Sequence, residues 1–277
     1  MADPWATNHL TLEDAVVHRT GLSRHDKSSG RFYPSKKGGL RTATPLDIVR
    51  SVRHLPLAGE PREVFRYCNI MYVVIAACVE AVAGKTLGEV LRESIWEPLG
   101  MGETFYGVED LERRGMGREL AKGYYWDKDA EETREIPLHP QPELAGAAIV
   151  ISSVRDYARW LMCLLQRALP LGSELHEELW APKMVDGDGI SGGFDGPTMY
   201  ASGWGVGLYK GRRVVSHNGL VEAFGANVVF FPDDGYGIVT MGNTAIEGNA
   251  VGEILLWHLV DERFRIPEDK RFDWGKK

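Results

Sequence analysis

Apolar residues in the first two-thirds of the chain recur at helical spacing, whereas from Met199 onward they come in strand-length runs broken by Gly, Asp and Asn. Four helix starts carry a hydroxyl followed three residues later by an acid: Thr11/Asp14, Thr44/Asp47 with Pro45 between them, Thr86/Glu89 and Ser153/Asp156. Each hydroxyl can accept from an orphan backbone N–H, and the acid suits the positive helix end. The segment 65–91 holds the most apolar helix, and Gly84 ends it. Between about 107 and 142 the chain is polar and aperiodic, with "AKGYYW" as a strand. "GWGVGLYKG", "RRVVSHNG", "GANVVFFPDDG" and "YGIVTMGN" follow as strands, and Pro232-Asp233-Asp234-Gly235 marks a hairpin. A closing helix "AVGEILLWHLVDERF" is expected to present Val251, Ile254, Leu255 and His258 as its buried face. A meander followed by a helix predicts an antiparallel sheet with one face covered. The fold class is α+β, a mainly helical lobe over 1–198 and a sheet with its C-terminal helix over 199–277.

Composition narrows the function. With 277 residues the chain can bury a large core, and its net charge of −7 argues against nucleic-acid or anionic-membrane partners. The N-terminal stretch lacks a signal-peptide pattern, no apolar run has the length of a membrane span, and Cys68, Cys78 and Cys163 read as buried thiols. A cytoplasmic location is the expectation. Nothing in the sequence indicates an oligomeric state.

Several motifs fail their context tests. "VAGKT" would need a glycine where Val79 stands to be a phosphate loop. Ser191 in "GISGG" lacks the strand before it and the helix after it that a nucleophile elbow requires. His18 and His25 are too far apart for one helix face, so they read as solvated or core histidines, and no metal motif occurs. "GWGVG" lacks the spacing of a dinucleotide fingerprint, so no cofactor is implied.

Two triplets remain, Tyr67-Cys68-Asn69 at the mouth of the apolar helix and His217-Asn218-Gly219 at a strand end. The bland reading is that Tyr67 packs and Asn69 caps. A glycine at a strand end, however, admits another molecule's backbone, and residue 217 shares its face by alternation. In this order and separation the triplets resemble those of the serine β-lactamase and penicillin-binding-protein family, above all its class C β-lactamases, family VIII esterases and fungal transesterases. "LTLEDAVVHRTGLSRHD", "FRYCNIMYVVIAACVEAVAGKTLGEVLRESIWEPLGM", "ELAGAAIVISSVRDYARWL" and "VVSHNGLVEAFGANVVFFPDDGYGIVTMGN" extend the likeness over nearly the whole chain.

The resemblance implies that Tyr67 shuttles a proton with the nucleophile and that Asn69 orients the acyl side chain. It implies that His217 stands where many members carry Lys, that Gly219 completes the triplet, and that the Leu220 N–H is an oxyanion donor. It also implies a Ser-x-x-Lys upstream of the matched segments. No serine, threonine or cysteine in the chain is followed three positions on by lysine, so no nucleophile is assigned. An ordinary phenol, with a pKa of about 10, is only about 0.1% ionised at pH 7 without such a cation. Three functions follow as expectations: an acyl hydrolase or transferase truncated ahead of its nucleophile helix and first strands, a binding protein that kept the cleft, or one part of a complex whose partner supplies the helix. A small acyl ester, thioester or lactam is the expected ligand, with esters and thioesters favoured by His217. Truncation is further expected to expose the apolar run "IMYVVIAACV" and one sheet edge.

Overall fold

The computed structural model describes residues 1–25, 32–35, 37–189 and 192–276; Ser191 lies outside them, as does the Glu247 side chain. The helical lobe begins with α1 (Pro4–His9), α2 (Leu12–Val16), the short hairpin β1 (Phe32–Pro34) and β2 (Leu40–Thr42), and α3 (Pro45–Ser51). It continues with α4 (Asn69–Ala83), α5 (Leu87–Leu91), a π-turn at Arg92–Trp96, β3 (Thr104–Tyr106) and α6 (Val108–Arg113). The hairpin of β4 (Gly123–Asp127) and β5 (Glu132–Ile136) follows, then β6 (Val150–Ser152), which pairs with β3. Next come α7 (Val154–Gln166) and α8 (Ser173–Leu179). The remainder is a six-stranded antiparallel meander, β7 (Met184–Gly187), β8 (Thr198–Tyr200), β9 (Gly205–Tyr209), β10 (Arg212–Val221), β11 (Phe224–Phe231) and β12 (Tyr236–Gly242), closed by α9 (Ala245–Phe264).

The capping signals act where the sequence placed them. Thr11/Asp14, Thr44/Asp47 and Thr86/Glu89 form reciprocal boxes, and the Ser153 hydroxyl accepts the Asp156 N–H. Asp156 itself turns away from the helix start to accept from the Glu103 N–H and the Thr104 hydroxyl, which fastens α7 to β3. No single helix among the described residues is long and apolar enough to cross a membrane.

Four expectations are corrected. The sheet starts at Met184 rather than Met199, because β7 pairs with β8 as an edge strand. It is covered on both faces, not one. Val206, Val215, Val228 and Phe230 pack against Leu161 and Leu164 of α7, while Val214, Val229 and Phe231 pack against Leu256, Trp257 and Val260 of α9. Strand β11 therefore needs apolar residues at consecutive positions, which explains the unbroken run Val228–Phe231. The α9 face is also different. Leu256, Trp257 and Val260 are buried and Trp257 stacks on Trp274, whereas Val251, Ile254 and Leu255 lie exposed. Finally, the α4 run is not laid bare: Ile70, Met71 and Val73 are buried against α2 and α3, in a second core with Ala15, Leu22, Ile48 and Val52, and Ala76 is buried beside Gly146. On the other side the meander ends at β12, with no further strand paired to it among the described residues.

Candidate active site

The chain path that delivers Tyr67 is set by the turn after α2. Residues 18–21 bind the segment 58–66 through a run of main-chain bonds: Ala58 N–H to the Gly21 carbonyl, Arg62 N–H to Arg19, and Arg66 N–H to His18, each 2.8 Å long. The approach is close enough to demand glycine. A Cβ on Gly21 (φ 80°) would stand 2.4 Å from the Gly59 carbonyl oxygen. The fully buried Asp14 carboxylate adds a clamp, accepting from Arg19 Nε at 2.7 Å and Arg62 Nη2 at 2.8 Å. Burial alone would raise its pKa, but the hydrogen bonds from Arg62, Thr11 and Arg19 hold it well below the usual carboxylate range.

Tyr67 then sits in extended chain just ahead of α4. Cys68, not Asn69, occupies the N-cap, and its side chain makes no cap bond; Asn69 is the first helical residue. The bland role for Asn69 is thereby removed.

On the sheet side, His217 continues the stripe of Val215 on the face that carries the α7 core, directly opposite Val228. Strand β9 pairs with β10 only from Arg212 to Ser216, while β11 follows it from Val215 to Val221. Past Ser216, β10 has a neighbour on one side only among the described residues. Gly219 and Leu220 lie on this one-sided stretch, opposite Ala226 and Gly225, and a Cβ on Gly219 would meet nothing within 4 Å. The glycine is thus open, and none of the described residues crowds the position.

The two triplets meet. The rings of Tyr67 and His217 are 6.4 Å apart at 42°, and the Arg24 guanidinium lies 4.8 Å from the Tyr67 ring centre. Against Tyr67 stands a group that the sequence reading left aside. His18 is fully buried, with its ring 4.2 Å from Tyr67, 4.9 Å from Tyr200 and 5.1 Å from Tyr72. Its Nδ1 accepts the Cys68 N–H at 3.0 Å, so the neutral ring carries its proton on Nε2, which has no hydrogen-bond partner among the described residues. Burial first, then the charges of His217 and Arg24, push the His18 pKa down to about 3.

Tyr200, at the end of β8, and Tyr72, on α4, are equally unannounced in the sequence. The Tyr72 hydroxyl donates to the Val16 carbonyl at 2.8 Å and accepts from Tyr200. The Tyr200 oxygen also stands 3.2 Å from His217 Nε2, a hydrogen bond whose donor is set by which His217 nitrogen carries the proton. Burial lowers the His217 pKa, and a hydrogen bond with the Asn218 backbone opposes that shift only in part. The site therefore holds a neutral imidazole at neutral pH, not a fixed cation. Burial likewise raises the pKa of Tyr72 and Tyr200.

Two further features bound the site. Phe65, which packs on His18 and Tyr200, also lines a cleft of about 590 Å³ between the 62–65 segment and strands β7 and β8. Beyond β10, Glu222 accepts from the His139 N–H and from Gln141 Nε2, both at 3.2 Å, which ties the 139–141 segment to the end of the strand.

The sequence profile described as Beta-lactamase matches residues 2–261. An unguisins hydrolase, ungD', of Aspergillus campestris is 37% identical over all 277 residues of this chain, which cover 50% of that protein. The unguisins hydrolase ungD of Aspergillus violaceofuscus is 33% identical, again over 100% of this chain and 50% of its own length. The chain spans about half the length of these curated relatives. Among solved structures, the octameric penicillin-binding protein homologue from Pyrococcus abyssi superposes with a TM-score of 0.72 at 22% identity, over 91% of this chain and 56% of that one.

Proposed function

The chain belongs to the Beta-lactamase family, and from that premise we propose that it carries the Tyr/His half of an acyl-transfer site, of the serine hydrolase, esterase or transesterase type. The observation that carries this reading is the 6.4 Å approach of Tyr67 to His217 across the two lobes. In this reading Tyr67 exchanges a proton with the attacking hydroxyl, and the Asn69 amide orients the acyl group. His217 polarises the acyl ligand as a neutral group, Gly219 leaves room for the ligand backbone, and the Leu220 N–H donates to the developing oxyanion. The names of the two Aspergillus relatives support hydrolysis over transfer.

The neutral state of His217 supports uncharged esters and thioesters over carboxylate-bearing lactams, since a permanent ammonium suits a carboxylate better. The 277 residues hold no Ser-x-x-Lys, so the chain by itself is proposed to bind acyl compounds without turning them over. The test has two arms. Chain 1–277 should bind p-nitroacetanilide, a stable analogue of p-nitrophenyl acetate, and Asn69→Ala should weaken that binding about tenfold, the worth of one hydrogen bond. Intact-mass analysis after a fluorophosphonate should show no adduct. Rapid hydrolysis of p-nitrophenyl esters or nitrocefin, abolished by Tyr67→Phe, would replace the binding-only reading with a complete enzyme.

A further inference from the structure

His18 touches the chain on both sides of Tyr67. Its carbonyl accepts the Arg66 N–H at 2.8 Å, its Nδ1 accepts the Cys68 N–H at 3.0 Å, and its ring lies against the phenol between them. We infer that His18 is the positioning residue of Tyr67, holding the 66–68 backbone from both ends and setting the direction in which the phenol faces His217. The inference rests on the reading that Tyr67 serves acyl chemistry.

The physical need is clear from the local structure. Extended chain ahead of a helix has no repeating bonds of its own, and the Cys68 side chain supplies no cap. An external acceptor must fix the Cys68 N–H, and His18 provides it from fifty residues away. An asparagine could do that alone, and would suit the left-handed backbone at residue 18 (φ 55°). The imidazole instead brings a second nitrogen whose buried proton finds no acceptor among the described residues. An uncompensated donor persists where the rest of the group is needed. What the ring adds is a flat spacer that touches Tyr67 and also Tyr200, whose hydroxyl reaches His217. It thus fixes the separation of the two lobes' rings.

The experiment compares His18→Asn with His18→Gly in chain 1–277. Both residues accept φ 55°, so neither adds backbone strain, but only Asn keeps an acceptor for the Cys68 N–H. With tyrosine labelled at ¹³Cζ, the Tyr67 resonance is assigned by its loss in Tyr67→Phe. It is expected to stay single but shift in His18→Asn, which keeps the acceptor and loses the ring, and to split or broaden in His18→Gly while the distant Tyr209 and Tyr236 signals hold still. A Tyr67 signal that remains single and unshifted in His18→Gly would overturn the inference. Should His18→Gly fail to fold, His18→Gln replaces it, since its extra methylene carries the carbonyl past the Cys68 N–H. Equal Tyr67 spectra for Asn and Gln would then overturn the inference, and a single signal in Asn alone would support it. If the resonance responds as expected while Asn69→Ala leaves p-nitroacetanilide affinity unchanged, His18 still positions Tyr67 and the acyl-site reading falls instead.

Discussion

A neutral His18 makes the fold sensitive to acid. In the unfolded chain a histidine titrates near 6.5, whereas in the folded protein His18 is pushed down to about 3 and His217 is lowered as well. Between those values the unfolded chain holds protons that the folded one refuses, so stability is fully present above 6.5 and is lost as pH falls. For His18 alone the loss by pH 5 is about 2 kcal/mol. Asp14 and Asp47 lose their contributions too, but only lower, as pH falls through and below the carboxylate range. Urea melts at pH 7.5, 6 and 5 should therefore show stability dropping before Asp14 and Asp47 titrate, and His18→Asn should flatten that drop. A flat profile from 7.5 to 5 in the parent protein would mean that the ring is already protonated or exposed. At this scale the sequence was only half legible. Tyr67 and His217 stood out through their neighbours in the chain, but His18 takes its meaning from Cys68, fifty residues on, and from Tyr200 on another lobe. A lone histidine after an apolar pair looks the same whether it fills a core or holds a loop.

At the scale of elements, the device that delivers the site is the pairing of the post-α2 turn with the segment 58–66. Its charged fastening is Asp14. Removing it by Asp14→Ala would leave Arg62 and Arg19 facing an apolar stub and would strip the capping box from α2. The expected loss is about 3 kcal/mol, the low end for a buried pair, because Arg62 keeps 44% of its side chain in solvent. Denaturant titration measures it, and an unchanged midpoint would show that the main-chain bonds from Ala58, Arg62 and Arg66 suffice. Elements were the most readable level of this chain. A capping box spans four residues, and a hairpin signal such as Pro232–Gly235 spans as many, so both are complete within the local sequence. The closing helix defeated the same logic because it has two apolar stripes at helical spacing. Only the partners Tyr209, Phe194 and Trp274, which surround Trp257, decide which stripe goes inward.

For the whole molecule, the order of β-strands and the two-sided packing by α7 and α9 could not be derived from alternation, since strands buried on both faces have none. Periodicity and the family resemblance both left the second covered face unread, and the turn signals alone gave the meander. What neither supplied is the surface that α9 shows to solvent. Val251 is 64% exposed, Leu255 50% and Ile254 42%, along one ridge of a helix whose opposite ridge holds the fold together. Such a ridge favours self-association as concentration rises. Sedimentation velocity on chain 1–277 should give a coefficient that climbs with loading, and Val251→Glu with Leu255→Lys should abolish the climb while leaving the melting midpoint in place. If the pair of changes lowers the midpoint instead, the ridge belongs to the core after all. A helix that anchors the sheet with one side thus governs, with its other side, how the protein behaves in a concentrator.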